Sequence, residues 1–139
     1  MTTVIRPEIS MKNKYWIDKH RYYELKHFCL QYTTWKKAHA GLSDLYLKSV
    51  TFDEKIFGNT PSDLTGKYAA ARAEYSSKID IVEKAALDAD KDLHAYILKA
   101  VTEDLSYSYL KTKMNIPCSK DTYYDRYRRF FWFLSRYRN

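Results

Sequence analysis

His20, His27 and Cys29 stand within ten residues of one another and supply the residue types that a thiol nucleophile and its base require. No orienting acid occupies a matching position, so the three are read as packing or surface residues and no catalytic site is expected. His39 and His94 complete no HExxH pair, and Cys118 forms no CxxC with Cys29, so no metal is expected. With three glycines in 139 residues the chain holds neither GxGxxG nor a Walker loop, and no cofactor is expected. The two cysteines, distant in a chain that begins without an export signal, are expected as reduced thiols.

A different chemistry is concentrated near the C-terminus. Residues 111–139 carry eight Lys or Arg against two Asp, interleaved with tyrosines. Cations at this density release counterions from a phosphate backbone, and tyrosine hydroxyls hydrogen-bond phosphate, so the composition predicts a nucleic-acid surface. Within a net charge of +7, residues 1–40 contribute +5, residues 41–110 contribute −4 and residues 111–139 contribute +6. Long basic side chains that merely solvate a helix face are the plainer account of such charge, and an anionic membrane is the weaker competitor.

The elements that must position these groups are helical. With 45% hydrophobic residues and scarce Gly and Pro, the chain is neither collagen-like nor disordered. No apolar run approaches the roughly 18 residues of a membrane span, and residues 1–7 lack a signal-peptide core, so a soluble cytoplasmic protein with no membrane partner is expected. Apolar residues recur at spacings of three and four, which predicts an all-α helical bundle with a long central helix and a C-terminal helix-turn-helix. Ile17, Tyr22, Leu25, Phe28, Cys29 and Tyr32 form one stripe over one or two helices, with an interruption at Gly41-Leu42-Ser43. Gly58-Asn59-Thr60-Pro61 is the clearest loop, and Ser62 is placed to cap a helix of some 25 residues. The punctuation divides the chain into an N-terminal helical segment, 1–61, a scaffold helix, 62–91, and a C-terminal module, 92–139.

Within that module a helix ends near Glu103, a short helix runs from about Ser106 to Lys113, and a turn through Met114-Asn115-Ile116-Pro117-Cys118 leads to a final helix from about Ser119. Asp104 or Ser106 is suited to cap the short helix, and Ser119 or Cys118 the last one. Pro117 pushes Ile116 out of the helical region and so enforces the turn. Ile97, Val101, Tyr107, Leu110, Ile116, Tyr123, Tyr127, Phe130 and Leu134 would then share a three-helix core. Lys120, Asp121, Tyr124, Asp125 and Arg128 fall at the start and on the opposite face of the last helix, where a recognition helix meets base edges and phosphates.

The run Leu105-Ser106-Tyr107-Ser108-Tyr109-Leu110, with Ile116 to Arg126 and Arg128-Arg129-Phe130-Phe131, resembles the C-terminal part of small phage and prophage transcriptional regulators of the RinA and ArpU type. Their helix-turn-helix is similar to the fourth region of bacterial sigma factors. The resemblance covers about the last 45 residues and implies an all-α protein that binds double-stranded DNA and regulates late phage genes, with host RNA polymerase as a further partner. Sigma-like helices usually carry smaller residues where this chain has Tyr123, Tyr127 and Phe130, so the core must admit larger rings. On this reading Lys120, Tyr124 and Arg128 read or straddle the major groove, with Ser119 at the helix start, and Lys111, Lys113, Arg126, Arg129, Arg136 and Arg138 hold the backbone. Asp121 and Asp125 repel phosphate unless they accept from cytosine or pair with Lys120, Arg128 or Arg129.

The alternative of a different class is a phage-encoded inhibitor of a host nuclease, acting as anti-CRISPR proteins do by blocking a protein surface or a nucleic-acid channel. Its contact surface would be the acidic middle of the chain: Asp80, Glu83, Asp88, Asp90 and Asp92. A homodimer is open on either reading, with Tyr15, Trp16, Tyr22, Trp35, Trp132 and Phe133 as the aromatics that would form its interface.

Overall fold

A computed structural model describes residues 13–57 and 63–139, with residues 52–57 described by their backbone alone. The described residues are all-α and form six helices: α1 (Lys19–Cys29), α2 (Tyr32–Phe57), α3 (Asp63–Ala89), α4 (His94–Glu103), α5 (Tyr107–Lys113) and α6 (Lys120–Tyr137). The expected loop at 58–61 and the Ser62 cap lie outside the described residues. Contacts gather the chain differently from its punctuation: the described residues up to Gln31 group with Ile81–Asn139, and Tyr32–Asp80 form a second unit. α3 spans the boundary at residues 80 and 81, and its buried apolar residues, Ile79, Val82, Ala85, Ala86 and Ala89, lie in its C-terminal part.

The interruption expected at Gly41 is absent; α2 runs through it. A helix-interior glycine costs only about 1 kcal/mol, which the helix formers around it offset. The break falls instead at Leu30-Gln31, where the Leu30 N–H donates to Lys26 O at 3.1 Å and the Gln31 N–H to Phe28 O at 3.2 Å. Gly41 is exposed, and a Cβ built on it meets nothing within 4 Å.

In the Tyr32–Asp80 unit, Tyr32, Trp35, Thr65 and Ile79 are buried. The Ser49 hydroxyl pairs with that of Thr65, and the Arg72 guanidinium lies 4.3 Å over the Tyr46 ring.

In the other unit α1, α4 and α6 pack on one another around a core of Tyr22, Leu25, Cys29, Ile97, Val101, Leu110, Ile116, Tyr123, Tyr127, Phe130, Phe131 and Leu134. Of the core expected for the C-terminal module only Tyr107 is half-buried, and its hydroxyl donates to Cys118 O at 2.6 Å. The large rings are fully accommodated: Tyr22 meets Phe131 at 5.0 Å, Tyr127 meets Phe131 at 4.9 Å, and Phe130 meets Phe131 edge-on at 4.9 Å. The Tyr22 and Tyr127 hydroxyls share a buried hydrogen bond of 2.9 Å, whereas the buried Tyr123 hydroxyl has no partner among the described residues.

Those hydroxyls give a contrast in stability. Tyr127→Phe leaves the Tyr22 hydroxyl buried and unpaired and is expected to cost about 1–3 kcal/mol, while removing both hydroxyls together is close to neutral. Tyr123→Phe removes only an unsatisfied group and is expected to leave stability unchanged or raise it. Gly41→Ala is expected to stabilise by about 0.5–1 kcal/mol, because the new methyl is unopposed and the unfolded chain loses freedom. Urea midpoints of the four variants check all three expectations.

Candidate nucleic-acid interface

Local chemistry builds the helix-turn-helix. Asp104 adopts a left-handed conformation, φ 57°, at the end of α4, and the Leu105 N–H reaches back to Ala100 O at 3.0 Å, closing that helix. Ser106 then caps α5, its Oγ accepting from the Tyr109 N–H at 3.1 Å. Asn115, φ 54°, reverses the chain after α5, and the Ile116 N–H donates to Leu110 O at 3.1 Å, which carries Ile116 into the core. Ser119 caps α6, accepting from the Thr122 N–H at 3.2 Å, and Asp121 complements the helix dipole in the first turn. Of the paired alternatives read from the sequence, Ser106 and Ser119 are the caps.

The second half of α6 is tied to other segments of the chain, while Trp132, Phe133 and Tyr137 stay half-exposed. On α1, Arg21 donates from Nε to Ser135 Oγ at 3.1 Å, from Nη2 to Ser135 O at 3.0 Å, and to Arg138 O, placing a cation on the negative end of the helix. Tyr15 stacks edge-on against Trp132, centroids 5.4 Å apart, and the Tyr137 hydroxyl donates to Asp88. The first two turns carry no such cover among the described residues beyond Asp90, which holds Arg126.

The residues expected at DNA therefore separate. Lys111, Lys113, Ser119 and Lys120 are exposed. Tyr124 and Arg128 are half-exposed and continue the stripe of Lys120 at four-residue spacing, with Lys120 Nζ 5.6 Å from the Tyr124 centroid. Among the described residues Lys111, Lys113, Lys120 and Arg128 make no ion pair. Arg126, Arg129 and Arg138 are occupied internally. Arg126 Nε donates to Asp90 Oδ2 at 2.7 Å and Nη1 pairs with Asp125; Arg129 Nε lies 3.0 Å from Asp125 Oδ2; Arg138 pairs with Glu24 at 3.5 Å and lies 4.4 Å over Phe28. Arg136 is exposed and lies 4.7 Å over Trp132. Asp125 is thus paired with arginine, one of the arrangements expected for it; Asp121 has no cationic partner among the described residues.

The sequence placed Asp90 on an acidic contact surface and gave no sign of its role in joining the α4 entry to Arg126. Asp90 Oδ1 accepts from the N–H groups of Asp92 and Leu93 at 2.8 and 2.9 Å, closing the entry to α4, while Oδ2 takes Arg126. Burial works against this carboxylate, but the hydrogen bonds from Arg126 and the two backbone N–H groups outweigh it and hold Asp90 below its ordinary range. The Asp-x-x-Leu-His spacing before an apolar run was the available signal for the turn; nothing local announced the reach to residue 126. Of the aromatics expected at a dimer surface, Tyr22 and Trp35 are instead buried, because each turns to the apolar side of its own helix.

His20 and His27 are exposed while Cys29 is wholly buried, and burial pushes its thiol far up, so the fold does not assemble them. Among the described residues no group of three His, Cys, Asp or Glu is placed to hold a metal, and no helix is long and apolar enough to cross a membrane. No family model, curated protein or solved structure matches the chain.

The Asp90–Arg126 link sets a pH dependence. A carboxylate held below its unfolded value stabilises the fold fully above about pH 5 and loses that contribution as the pH falls through about 3.9 toward the lower folded value. Asp90→Asn is expected to cost about 2 kcal/mol at neutral pH, and the gap to the native chain to close on acidification, as measured by urea unfolding from about pH 7 to about pH 3.

Proposed function

We propose that the chain binds double-stranded DNA through α5, the turn and the first half of α6, and acts as a transcriptional regulator of the phage or prophage kind that its C-terminal sequence resembles. The observation that carries the DNA reading is the set of cations around the open half of α6: Lys111, Lys113, Lys120 and Arg128 stand at one helix-turn-helix without a carboxylate partner among the described residues. Side chains on the opposite face of α6 are committed to the core, and Lys111, Lys113 and Lys120 are exposed outside it. The N-terminal turns of a recognition helix meet base edges, and flanking lysines meet phosphate.

Lys120, Tyr124 and Arg128 take the groove-facing role in this proposal, with Lys111, Lys113 and Ser119 on the backbone. The regulatory role, the phage setting and host RNA polymerase as a partner rest on the resemblance. The nuclease-inhibitor alternative draws less support, since Asp88 and Asp90 from its acidic surface are engaged with Tyr137, Lys84 and Arg126.

Selection of bound sequences from a random duplex pool, followed by titration at several salt concentrations, tests the reading. Arg128→Ala is expected to relax sequence preference, with a selected site losing roughly 1–3 kcal/mol of discrimination at one position. Lys111→Ala and Lys113→Ala are expected to weaken all duplexes alike and to lower the salt slope by about 1 each. Arg138→Ala is expected to leave sequence preference intact, because its guanidinium is occupied by Glu24 and Phe28. No enrichment, with a flat salt dependence, contradicts the proposal.

A further inference from the structure

The outer side of the second half of α6 carries an alternation of cations and rings that neither the core nor the duplex-binding proposal uses. Tyr15 holds two cations, Lys14 Nζ at 5.5 Å and Arg129 Cζ at 5.0 Å from its centroid. Its edge meets Trp132, and Arg136 lies 4.7 Å over that indole. Trp132 meets Phe133 edge-on at 5.0 Å, Phe133 stacks on Tyr137 at 6.0 Å and 28°, and Lys84 Nζ sits 4.0 Å over Tyr137. Residues 129, 132, 133 and 136 recur at helical spacing on the side of α6 away from Tyr123, Phe130 and Leu134. All four rings are half-exposed, and Lys14, Lys84 and Arg136 are exposed.

Packing alone does not require this band. Phe130, Phe131 and Leu134 already fill the buried face of these turns, and leaving two adjacent large rings partly in water has a hydrophobic cost. Asp125 and Asp88 pair with Arg129 and Lys84, whereas Lys14 and Arg136 have no carboxylate among the described residues. Exposed cations lying over half-exposed rings match the two halves of an unpaired nucleotide: the base displaces a cation from a ring face and the phosphate meets that cation. A duplex keeps its base faces stacked inside and offers nothing to these rings.

We propose that the Tyr15–Trp132–Phe133–Tyr137 band is a binding surface for single-stranded nucleic acid, separate from the open first half of α6. It stands on the ring and cation geometry, whether or not the duplex proposal holds.

The test uses the full chain with short oligo-dT, a duplex and phosphatidylglycerol vesicles, followed by anisotropy or sedimentation and by tryptophan emission. Oligo-dT is expected to bind and to quench emission, with the quench lost in Trp132→Phe while most affinity remains. Trp132→Ala and Arg136→Ala are each expected to weaken oligo-dT binding by about tenfold or more. Arg136 is exposed and outside the core, so its variant stays informative if Trp132→Ala unfolds. Lys113→Ala, on α5, is expected to leave oligo-dT binding unchanged, which separates the two surfaces. Absence of oligo-dT binding, full affinity in Arg136→Ala, or binding to vesicles without binding to oligo-dT overturns the proposal.

Discussion

Five large side chains on one face of α6 (Tyr123, Tyr127, Phe130, Phe131 and Leu134) must leave water together, and no single helix is wide enough to cover them. Their burial requires α1 and α4, both packed on α6, and near its start the Tyr107 ring, 5.6 Å from that of Tyr123. The polar contacts follow from that packing. Once α1 lies against α6, the Arg21 guanidinium is at hand for the last carbonyls of the helix, and the Tyr22 hydroxyl for that of Tyr127. The entry to α4 likewise brings Asp90 to Arg126. These bonds fix register; the rings supply most of the free energy.

The same constraint gives the two halves of α6 different surroundings. Toward its C-terminus the helix is held by α1, by the chain around Tyr15 and by the end of α3, and the Arg129 and Arg138 guanidinium groups are occupied by carboxylates. Toward its N-terminus the turn holds the helix from below and leaves Lys120, Tyr124 and Arg128 outward. A rigid helix with an anchored end and an open end places side chains accurately, which is the requirement for reading base edges.

Much of this was legible in the sequence because its causes are local. The all-α architecture, the stripe from Ile17 to Tyr32, the turn at Met114 to Cys118 and the buried run from Ile97 to Leu134 follow from periodicity, capping residues and Pro117. What was not legible depends on partners distant along the chain. Asp90 and Arg126 are 36 residues apart, and Arg21 and Arg138 are 117 apart. Net charge could not tell that Arg126, Arg129 and Arg138 are occupied while Lys111, Lys113 and Arg128 are free of carboxylates among the described residues. Gly41 misled for the opposite reason: its local signal was real, and the helix formers on either side outweighed it. The grouping of the described residues up to Gln31 with those from Ile81 onward is likewise a product of burial.

The central claim is that the open half of α6 and the end of α5 form the face that meets a DNA duplex. Amide and side-chain NMR shifts recorded while a duplex is titrated into the full chain test it most directly. The account predicts that the largest changes fall within Lys111–Arg128, centred on the signals of Lys120, Tyr124 and Arg128. Changes confined to α2 and α3, or none in that segment at saturating duplex, would contradict it.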